Sequence, residues 1–216
     1  MRTGAAAFIV ALLSSAEALA QPKQMPDRPW PWFENRVALS NGYGTGGGTV
    51  DTARGSVPAE LFGAWFALSY DHHLARGFAV GLSPRIGVPL ESEENLALLD
   101  LNAIARLRFP AFRPKPSAWY VGIAAGPSRN LDVSPAERRA FTSHVRPRWG
   151  YDLGIAGGIE ILARGGWGGC FEIAFVRHAF TNHYTYDIES DGSRLEEDRR
   201  YALYELIGTV GVLRGF

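Results

Sequence analysis

A threonine and two histidines lie close together along the chain, in the order His178-Ala-Phe-Thr181-Asn-His183. A hydroxyl group can attack an ester when a neighbouring imidazole takes its proton, provided that the two side chains are within hydrogen-bond reach. Residues three apart in a regular strand point to opposite faces, so His178 meets Thr181 only across a β-bulge. His183 is two residues from Thr181 and shares its face. The three residues are a candidate esterase site; otherwise His178 is a histidine at the rim of the fold.

An acidic segment follows at 187–198, with the sequence DIESDGSRLEED. Its carboxylates alternate as in a calcium-binding loop, and Gly192 stands where such loops turn sharply. The match is imperfect, because Arg194 occupies a usually apolar position and the twelfth residue is aspartate. We therefore expect an acidic loop tip in water and no bound metal. The candidate calcium ligands are Asp187, Glu189, Asp191 and Asp198.

Arginines are concentrated just before this part of the chain. They are Arg129, Arg138, Arg139, Arg146 and Arg148. Guanidinium groups bind phosphates well, so Arg138, Arg139 and Arg146 are candidates for holding phosphate groups on an outer loop. The same arginines could instead pair with the acidic segment 187–198. The residues alone favour neither arrangement.

The composition excludes several classes of protein. The chain has 216 residues, with 22 Lys and Arg against 22 Asp and Glu. It lacks the positive charge of a nucleic-acid-binding protein. Its single cysteine, Cys170, excludes an internal disulfide framework and a cysteine-based zinc cluster. We expect no cofactor. No segment after residue 20 has the roughly 18 apolar residues that a transmembrane helix requires.

The first 20 residues form the pattern of a secretory signal peptide. Arg2 precedes the apolar stretch 5–13, and the small residues of a cleavage site follow at 18–20, so the mature chain would begin at Gln21. Residues 21–35 contain four prolines and no periodicity, which predicts an extended lead-in. We expect one folded domain at 36–216.

From Arg36 onward, apolar residues alternate with small or charged ones, which predicts strands with two different faces. The clearest segment is 151–161, YDLGIAGGIEI, where the face opposite the apolar one carries Asp152, Gly154 and Glu160. Such segments predict eight strands, within 37–44, 61–73, 78–88, 97–109, 119–126, 151–161, 170–176 and 201–216.

The polar faces favour a membrane β-barrel whose apolar face points outward. They are rich in Gly and Ala with isolated charges of both signs, which suits a narrow lumen better than a water-exposed surface. Lysine occurs only at Lys23 and Lys115, outside the strands. Aromatic residues near strand ends would form belts at the membrane interfaces; the alternative is ordinary core packing. They are Tyr70, Phe78, Phe109, Trp119, Trp149, Phe171 and Phe216.

The predicted connections alternate in length, as in a barrel with both termini on the inner side of the membrane. The outer connections, three of them long, are 45–60, 89–95, 128–147 and 181–199; the short inner ones are 74–77, 110–117 and 164–169. The glycine-rich run 44–48 lacks the Lys-Ser/Thr that follows a phosphate-binding loop. We expect that run to be a flexible loop.

The predicted lumen face carries charges of both signs, at Asp71, Arg85, Asp100, Arg106, Arg108, Asp152, Glu160, Glu172 and Glu205. Eight strands leave room for little besides side chains, and an unpaired charge in such a space is too costly. We therefore expect an ion-pair network in which Arg85 and Arg106 meet some of Glu160, Glu172 and Glu205. This network would be a structural plug; the alternative is a gated ion path.

The chain resembles bacterial outer-membrane proteins of the small eight-stranded class, similar to the OmpA transmembrane domain and OmpW-type barrels. The last strand carries much of the resemblance, since it ends at Phe216 with Val212, Val210, Leu206 and Tyr204 on the same face. The resemblance implies an all-β, eight-stranded, antiparallel up-and-down transmembrane barrel in the outer membrane. It also implies contact with lipid and lipopolysaccharide, and recognition of the C-terminal strand by the barrel assembly machinery. Arg214 departs from the family pattern, which has an apolar or aromatic residue there.

These features predict a non-enzymatic barrel with a structural role or a binding role for its outer loops. One alternative is a lipid A-modifying hydrolase, since lipid A 3-O-deacylases resemble this architecture. Those enzymes carry a serine two residues after the histidine, where this chain has Phe180 after His178. Another is a narrow passage for small apolar molecules, as in OmpW-type barrels. The last is a soluble lipocalin-like binder, in which the apolar faces would point inward.

Overall fold

The structure, a computed structural model, describes residues 33–75, 77–90, 97–110, 117–131, 144–188 and 193–216. The predicted signal peptide at 1–20 and most of the predicted lead-in at 21–35 lie outside them. Within the described part are nine strands: β1 (Asn35–Thr52), β2 (Gly55–Ala75), β3 (Phe78–Pro89), β4 (Leu98–Pro110), β5 (Ser117–Asn130), β6 (His144–Pro147), β7 (Gly150–Leu162), β8 (Trp167–Ile188) and β9 (Ser193–Gly215). A short 3₁₀ turn, Arg164–Gly166, precedes β8. Among these residues, no helix is long and apolar enough to cross a membrane.

Eight of the strands form a closed antiparallel ring in the order β1-β2-β3-β4-β5-β7-β8-β9, with β9 paired back to β1. Apart from the closing pair β9–β1, every neighbour in the ring is also the next ring strand in sequence, so the topology is up-and-down. Closure gives each ring strand a partner on both sides along its central part. Among the described strands, the four-residue strand β6 pairs with the far end of β8 alone. The predicted eight-stranded barrel is confirmed, while β6 was not expected and lies in the predicted connection 128–147.

The apolar faces point outward, as predicted. Ile155 is 62% exposed, whereas Asp152 and Glu160 on the other face of the same strand are each 2% exposed. The outer surface is covered by large apolar side chains from every strand of the ring. Water would strongly disfavour so much contiguous apolar surface, and lipid would not. The soluble lipocalin-like alternative is therefore wrong.

Aromatic side chains surround the barrel at two heights. All seven predicted belt residues are exposed, so the core-packing alternative is wrong. One belt lies at the end where both termini meet, which we call the terminal end, and includes Phe109, Trp119 and Phe216. The other, nearer the opposite or loop end, includes Tyr151 and Tyr204. Phe216 and Tyr204 are twelve residues apart in sequence, and that length of tilted strand spans roughly 30 Å, enough to cross a bilayer.

The strands extend further at the loop end than the sequence predicts. Residues 45–60 were expected to form a connection, but β1 and β2 continue through them and are joined by a two-residue turn at Ala53-Arg54. Gly55 follows this turn with φ +123°, a conformation that other residues rarely adopt. β8 and β9 likewise continue into the predicted connection 181–199. The neighbouring strands extend together, so each supplies hydrogen bonds to the next despite weak strand propensity.

The glycine-rich run 44–48 is part of β1 and not the flexible loop that we expected. Its glycines allow close packing of the lumen. A Cβ atom at Gly44 would overlap the Glu205 carboxylate and lie 2.7 Å from Trp65 Nε1. Glycine is needed at this position because two buried side chains occupy the space that any other residue would fill.

Gly44→Ala should therefore destabilise the barrel, by about 1–3 kcal/mol, as overpacked cores do. The matched control is Gly208→Ala, because a Cβ at Gly208 meets nothing within 4 Å. Urea unfolding of the refolded protein in detergent micelles measures both variants. Equal stability of the two variants would contradict this account of Gly44.

Candidate functional site

The lumen side chains of β1, β2 and β4 converge on one carboxylate, Asp71. Arg36 Nη1 lies 2.9 Å from Asp71 Oδ2, Arg106 Nη1 lies 2.8 Å from Oδ1, and Arg108 Nη2 lies 2.7 Å from Oδ2. All four side chains are almost completely buried. Arg36 also donates to Ser69 Oγ at 3.2 Å. Three guanidinium groups thus share one carboxylate out of contact with water.

Two glutamates from the opposite wall, Glu160 on β7 and Glu172 on β8, complete this network. Glu160 lies 2.9 Å from Arg36 Nε and 3.1 Å from Arg108 Nε. Glu172 lies 3.0 Å from Arg106 Nη2 and 3.2 Å from Arg85 Nη2, and it accepts a hydrogen bond from Tyr120 at 2.8 Å. The network joins opposite walls of the barrel through charge-assisted hydrogen bonds. We call these residues the arginine network: Arg36, Asp71, Arg85, Arg106, Arg108, Glu160 and Glu172.

The structure places the predicted network residues in two groups. Arg85 and Arg106 both meet Glu172, within the expected set of partners. Glu160 instead meets Arg36 and Arg108, and Glu205 meets no arginine of the described chain but accepts a hydrogen bond from Trp65 Nε1 at 2.6 Å. Arg36 was not identified as a lumen residue from the sequence. Its position two residues before Ala38, another inward residue, is the signal that could have found it.

A second polar group lies in the lumen nearer the loop end. His178, with no exposed surface, is stacked on Trp65, with ring centroids 5.8 Å apart. Its Nδ1 lies 3.6 Å from Asp100 Oδ1 and its Nε2 lies 3.5 Å from Glu205 Oε2. Asp152 is opposite His178 in the ladder between β7 and β8. Further bonds orient the carboxylates: Ser128 Oγ donates to Asp100 at 2.7 Å and Asn102 Nδ2 donates to Asp152 at 2.6 Å.

Apolar clusters lie on both sides of these polar groups. At the terminal end, Phe33 packs with Ala38, Leu162 and Leu213, and the Arg108 guanidinium lies 5.9 Å from the Phe33 ring. Towards the loop end, a larger cluster includes Phe180 and Tyr201, whose rings stack at 4.8 Å. A space of only about 10 Å³ lies beside Trp65 and Glu205, on the order of one water molecule.

His178 does not come together with the other two candidate esterase residues. His178 faces the lumen and is fully buried, so its interpretation as a rim histidine is wrong; β8 continues ten residues beyond it. Thr181 and His183 lie on the other face of β8, in a ladder with β9 that pairs every residue in regular register. No bulge brings Thr181 towards His178. His183 lies instead against Asp198, with Nδ1 2.7 Å from Oδ1.

The candidate calcium ligands fall on a regular hairpin where the structure describes them. Asp187 is opposite Arg194 and Asp198 is opposite His183, so the two aspartates lie four pairs apart along the ladder. That separation is roughly 13 Å, far more than the span between two ligands of one calcium ion. Glu189 and Asp191 lie outside the described residues.

Two of the outer arginines that the structure describes, Arg146 and Arg148, lie beside the acidic hairpin, whereas the guanidinium of Arg129 lies over the ring of Trp149. Arg148 Nη1 lies 3.4 Å from Asp198 Oδ2, and Arg146 on β6 is opposite His183 on β8. The hydrogen bond with His183 and the charge of Arg148 hold the pKa of Asp198 below its usual value. Arg138 and Arg139 lie outside the described residues. The geometry of Arg148 matches the self-complementary arrangement, whereas phosphate binding stays a prediction.

The C-terminal strand presents its apolar face to the outside. Tyr204, Leu206, Val210, Val212 and Phe216 are all exposed, in step along β9. Arg214 lies with its guanidinium 5.2 Å from the ring of Trp167, at the terminal end. Recognition of this strand by the barrel assembly machinery stays a prediction.

Comparisons with known proteins agree with this architecture. The sequence matches no protein-family model and no curated protein. The structure is similar to that of Neisserial surface protein A, with 12% sequence identity over 85% of this chain and 97% of that chain, and a TM-score of 0.54. It is also similar to the outer membrane protein OprG from Pseudomonas aeruginosa, with 12% identity over 85% of this chain and 98% of that chain, and a TM-score of 0.56. The predicted outer-membrane location agrees with these folds and with the apolar exterior. The chain has the fold of the small eight-stranded β-barrels of the bacterial outer membrane.

Proposed function

We propose that this protein is a non-enzymatic outer-membrane barrel with a closed lumen, whose role is structural or depends on binding at its loop-end surface. The observation that carries this proposal is the filling of the lumen. The Phe33 cluster, the arginine network, the His178 group and the Phe180 cluster occupy it in succession from one end to the other. Eight strands enclose too little space for a water-filled path beside these side chains.

The loop-end surface supports a binding role. β8 and β9 continue for about ten residues beyond Tyr204, which would carry them roughly 25–30 Å past the membrane interface. Arg199 on this hairpin lies over the ring of Tyr184 at 4.5 Å and donates to the Tyr186 hydroxyl at 2.8 Å. Tyrosine and arginine side chains are enriched at protein interfaces. Lipopolysaccharide is the partner we expect on the lipid side of this surface.

A lipid A hydrolase and a passage for small apolar molecules have less support. A lipid A hydrolase would need Thr181 hydrogen-bonded to a histidine. His178 is enclosed in the lumen, and among the described residues no hydrogen bond joins Thr181 to His183, which lies against Asp198 instead. A passage for apolar molecules would need an open lumen or an opening in the wall. An apolar concavity of about 680 Å³ is lined mostly by outward side chains such as Ile123, Ile155 and Phe175. Lipid acyl chains can fill it without any transport.

Conductance across a planar lipid bilayer tests the closed lumen. With the refolded protein inserted, we expect ion conductance no higher than that of the lipid alone, because buried ion pairs and apolar clusters fill the tube. A sixteen-stranded porin, whose lumen is open, serves as the positive control. Stepwise channel openings from the folded barrel would contradict the proposal and favour the gated path.

A further inference from the structure

We propose that Asp100, Asp152 and His178 bind one divalent transition-metal ion inside the lumen, with zinc as the simplest example. Each residue offers one ligand atom, and the three atoms lie within 4.8 Å of one another. All three side chains are almost completely buried. An imidazole nitrogen combined with carboxylate oxygens suits zinc and its neighbours among the transition metals, and suits calcium or magnesium poorly.

The group contains buried polar atoms that the described protein does not satisfy. Asp100 Oδ2, Asp152 Oδ1 and both ring nitrogens of His178 have no hydrogen-bond partner among the described residues. Asn102 Oδ1, beside Asp152, has none either. Leaving several polar atoms unsatisfied in one small buried space is costly. A metal ion bound to the imidazole and the two carboxylates would remove most of that cost.

The surroundings of the three ligands are those of a metal site. His178 Nδ1 faces Asp100, and its Nε2 faces Glu205 at 3.5 Å. A histidine that binds metal through one nitrogen usually donates its other N–H to a carboxylate. Glu205 is itself held by Trp65 at 2.6 Å. Ser128 and Asn102 donate to the two aspartate ligands, which fixes their orientation.

The charge of the lumen also favours a bound cation. The buried or half-buried arginines of the described lumen number four: Arg36, Arg85, Arg106 and Arg108. They stand against six carboxylates: Asp71, Asp100, Asp152, Glu160, Glu172 and Glu205. With a neutral imidazole the formal charge is −2, and the excess lies around His178, where no arginine ion pair is described. One divalent ion would neutralise it, and buried charge requires such compensation.

The site lies near the loop end of the barrel. Asp100 is two residues from the start of β4 and Asp152 is two residues from the start of β7, both at the loop end. β4 and β7 begin at this level, whereas β8 and β9 extend further at the loop end. Tetrahedral zinc holds its ligands roughly 3.3 Å apart, so the side chains must close by about 1.5 Å at most. Small rotations of the side chains can supply that change.

Metal content tests the proposal. The chain from Gln21 onward, the predicted start of the mature protein, is refolded in detergent without a polyhistidine tag, treated with EDTA and equilibrated with zinc alone. Its metal content is then measured by mass spectrometry. We expect one zinc ion per chain. His178→Gln and Asp152→Asn should each lower the affinity at least tenfold, as loss of a ligand does. Glu205→Gln should weaken binding by about tenfold while the one-to-one ratio at saturation persists, because Glu205 positions the ligand.

A control is needed because a second histidine lies among carboxylates at the surface. His183 is close to Asp198 and Glu196 on the exposed hairpin and could bind zinc loosely. His183→Ala should therefore leave the tightly bound zinc unchanged. Cobalt in place of zinc gives visible absorption bands that report direct coordination, and these should disappear in His178→Gln but persist in His183→Ala.

The opposite results would overturn the proposal. Uptake of less than about 0.1 zinc per chain by the His183→Ala protein would show that the site binds no metal. A protonated imidazole and a protonated carboxyl group would then satisfy the buried polar atoms instead. Zinc retained at full affinity in His178→Gln would place the ion elsewhere. Heat-modifiable gel migration verifies folding of each variant. If the ligand variants do not fold, zinc uptake by folded His183→Ala protein decides the question.

Discussion

Asp71→Asn should unfold or severely destabilise the barrel, with a loss of about 3–5 kcal/mol. Asp71 is contacted by Arg36, Arg106 and Arg108 at 2.7–2.9 Å, in a part of the lumen without access to water. Asparagine keeps the shape of the side chain but removes the charge, so three buried guanidinium groups lose a shared partner. Removing one member of a buried ion pair is costly because the remaining charges stay desolvated. Urea unfolding in phospholipid vesicles measures the loss.

The matched control is Asp51→Asn, which removes a carboxylate of the same type at the exposed loop end of β1. This change should alter the free energy of unfolding by less than about 0.5 kcal/mol, as expected for a surface position. If the two variants prove equally stable, the arginine network does not hold the walls together. The lumen would then owe its stability to the Phe33 and Phe180 clusters instead.

The fold was predictable because a membrane barrel repeats one simple pattern. Period-two alternation located the central part of each strand, and glycine, alanine and isolated charges on one face of it indicated the lumen. The segment from Tyr151 to Ile161 showed this pattern most clearly, and the structure confirms the faces of Asp152, Ile155 and Glu160. Successive side chains of a strand face lipid and lumen in turn, so the alternation of apolar and small or charged residues is visible in a single sequence.

The pairing inside the lumen was not predictable in the same way. The stagger between strands decides which inward residues meet, and a sequence does not state it. Glu160 therefore meets Arg36 and Arg108, although Arg85 and Arg106 were the expected candidates. Arg36 escaped notice because it lies at the start of a weak pattern beside a proline-rich segment.

His178 and the apolar side chains of the loop-end lumen were missed for a different reason. There the inward face carries Phe180, Tyr201 and Leu203, which are as apolar as outward residues. Once both faces are apolar, alternation no longer distinguishes them, and the predicted strand ended at residue 176. Continuing the inward face of Glu172 by two further steps of the same alternation past Ala174 would have placed His178 in the lumen. The extension of β1 and β2 was missed because glycine-rich sequence has low strand propensity, whereas adjacent extended strands supply the hydrogen bonds.

Ile155→Arg should destabilise the barrel by about 2–4 kcal/mol, the cost of placing an arginine near the middle of the bilayer on the lipid face. Ile155 lies near the centre of β7 and is 62% exposed, more than Tyr151, Leu153 or Ile161 on the same face. Ile161, at the terminal end of the same face, provides a matched position near the interface, where Ile161→Arg should cost about 0–1 kcal/mol. Ile155→Ala controls for loss of the side chain. Urea unfolding in vesicles measures all three, and an equal effect of arginine at both depths would be incompatible with a lipid-facing β7.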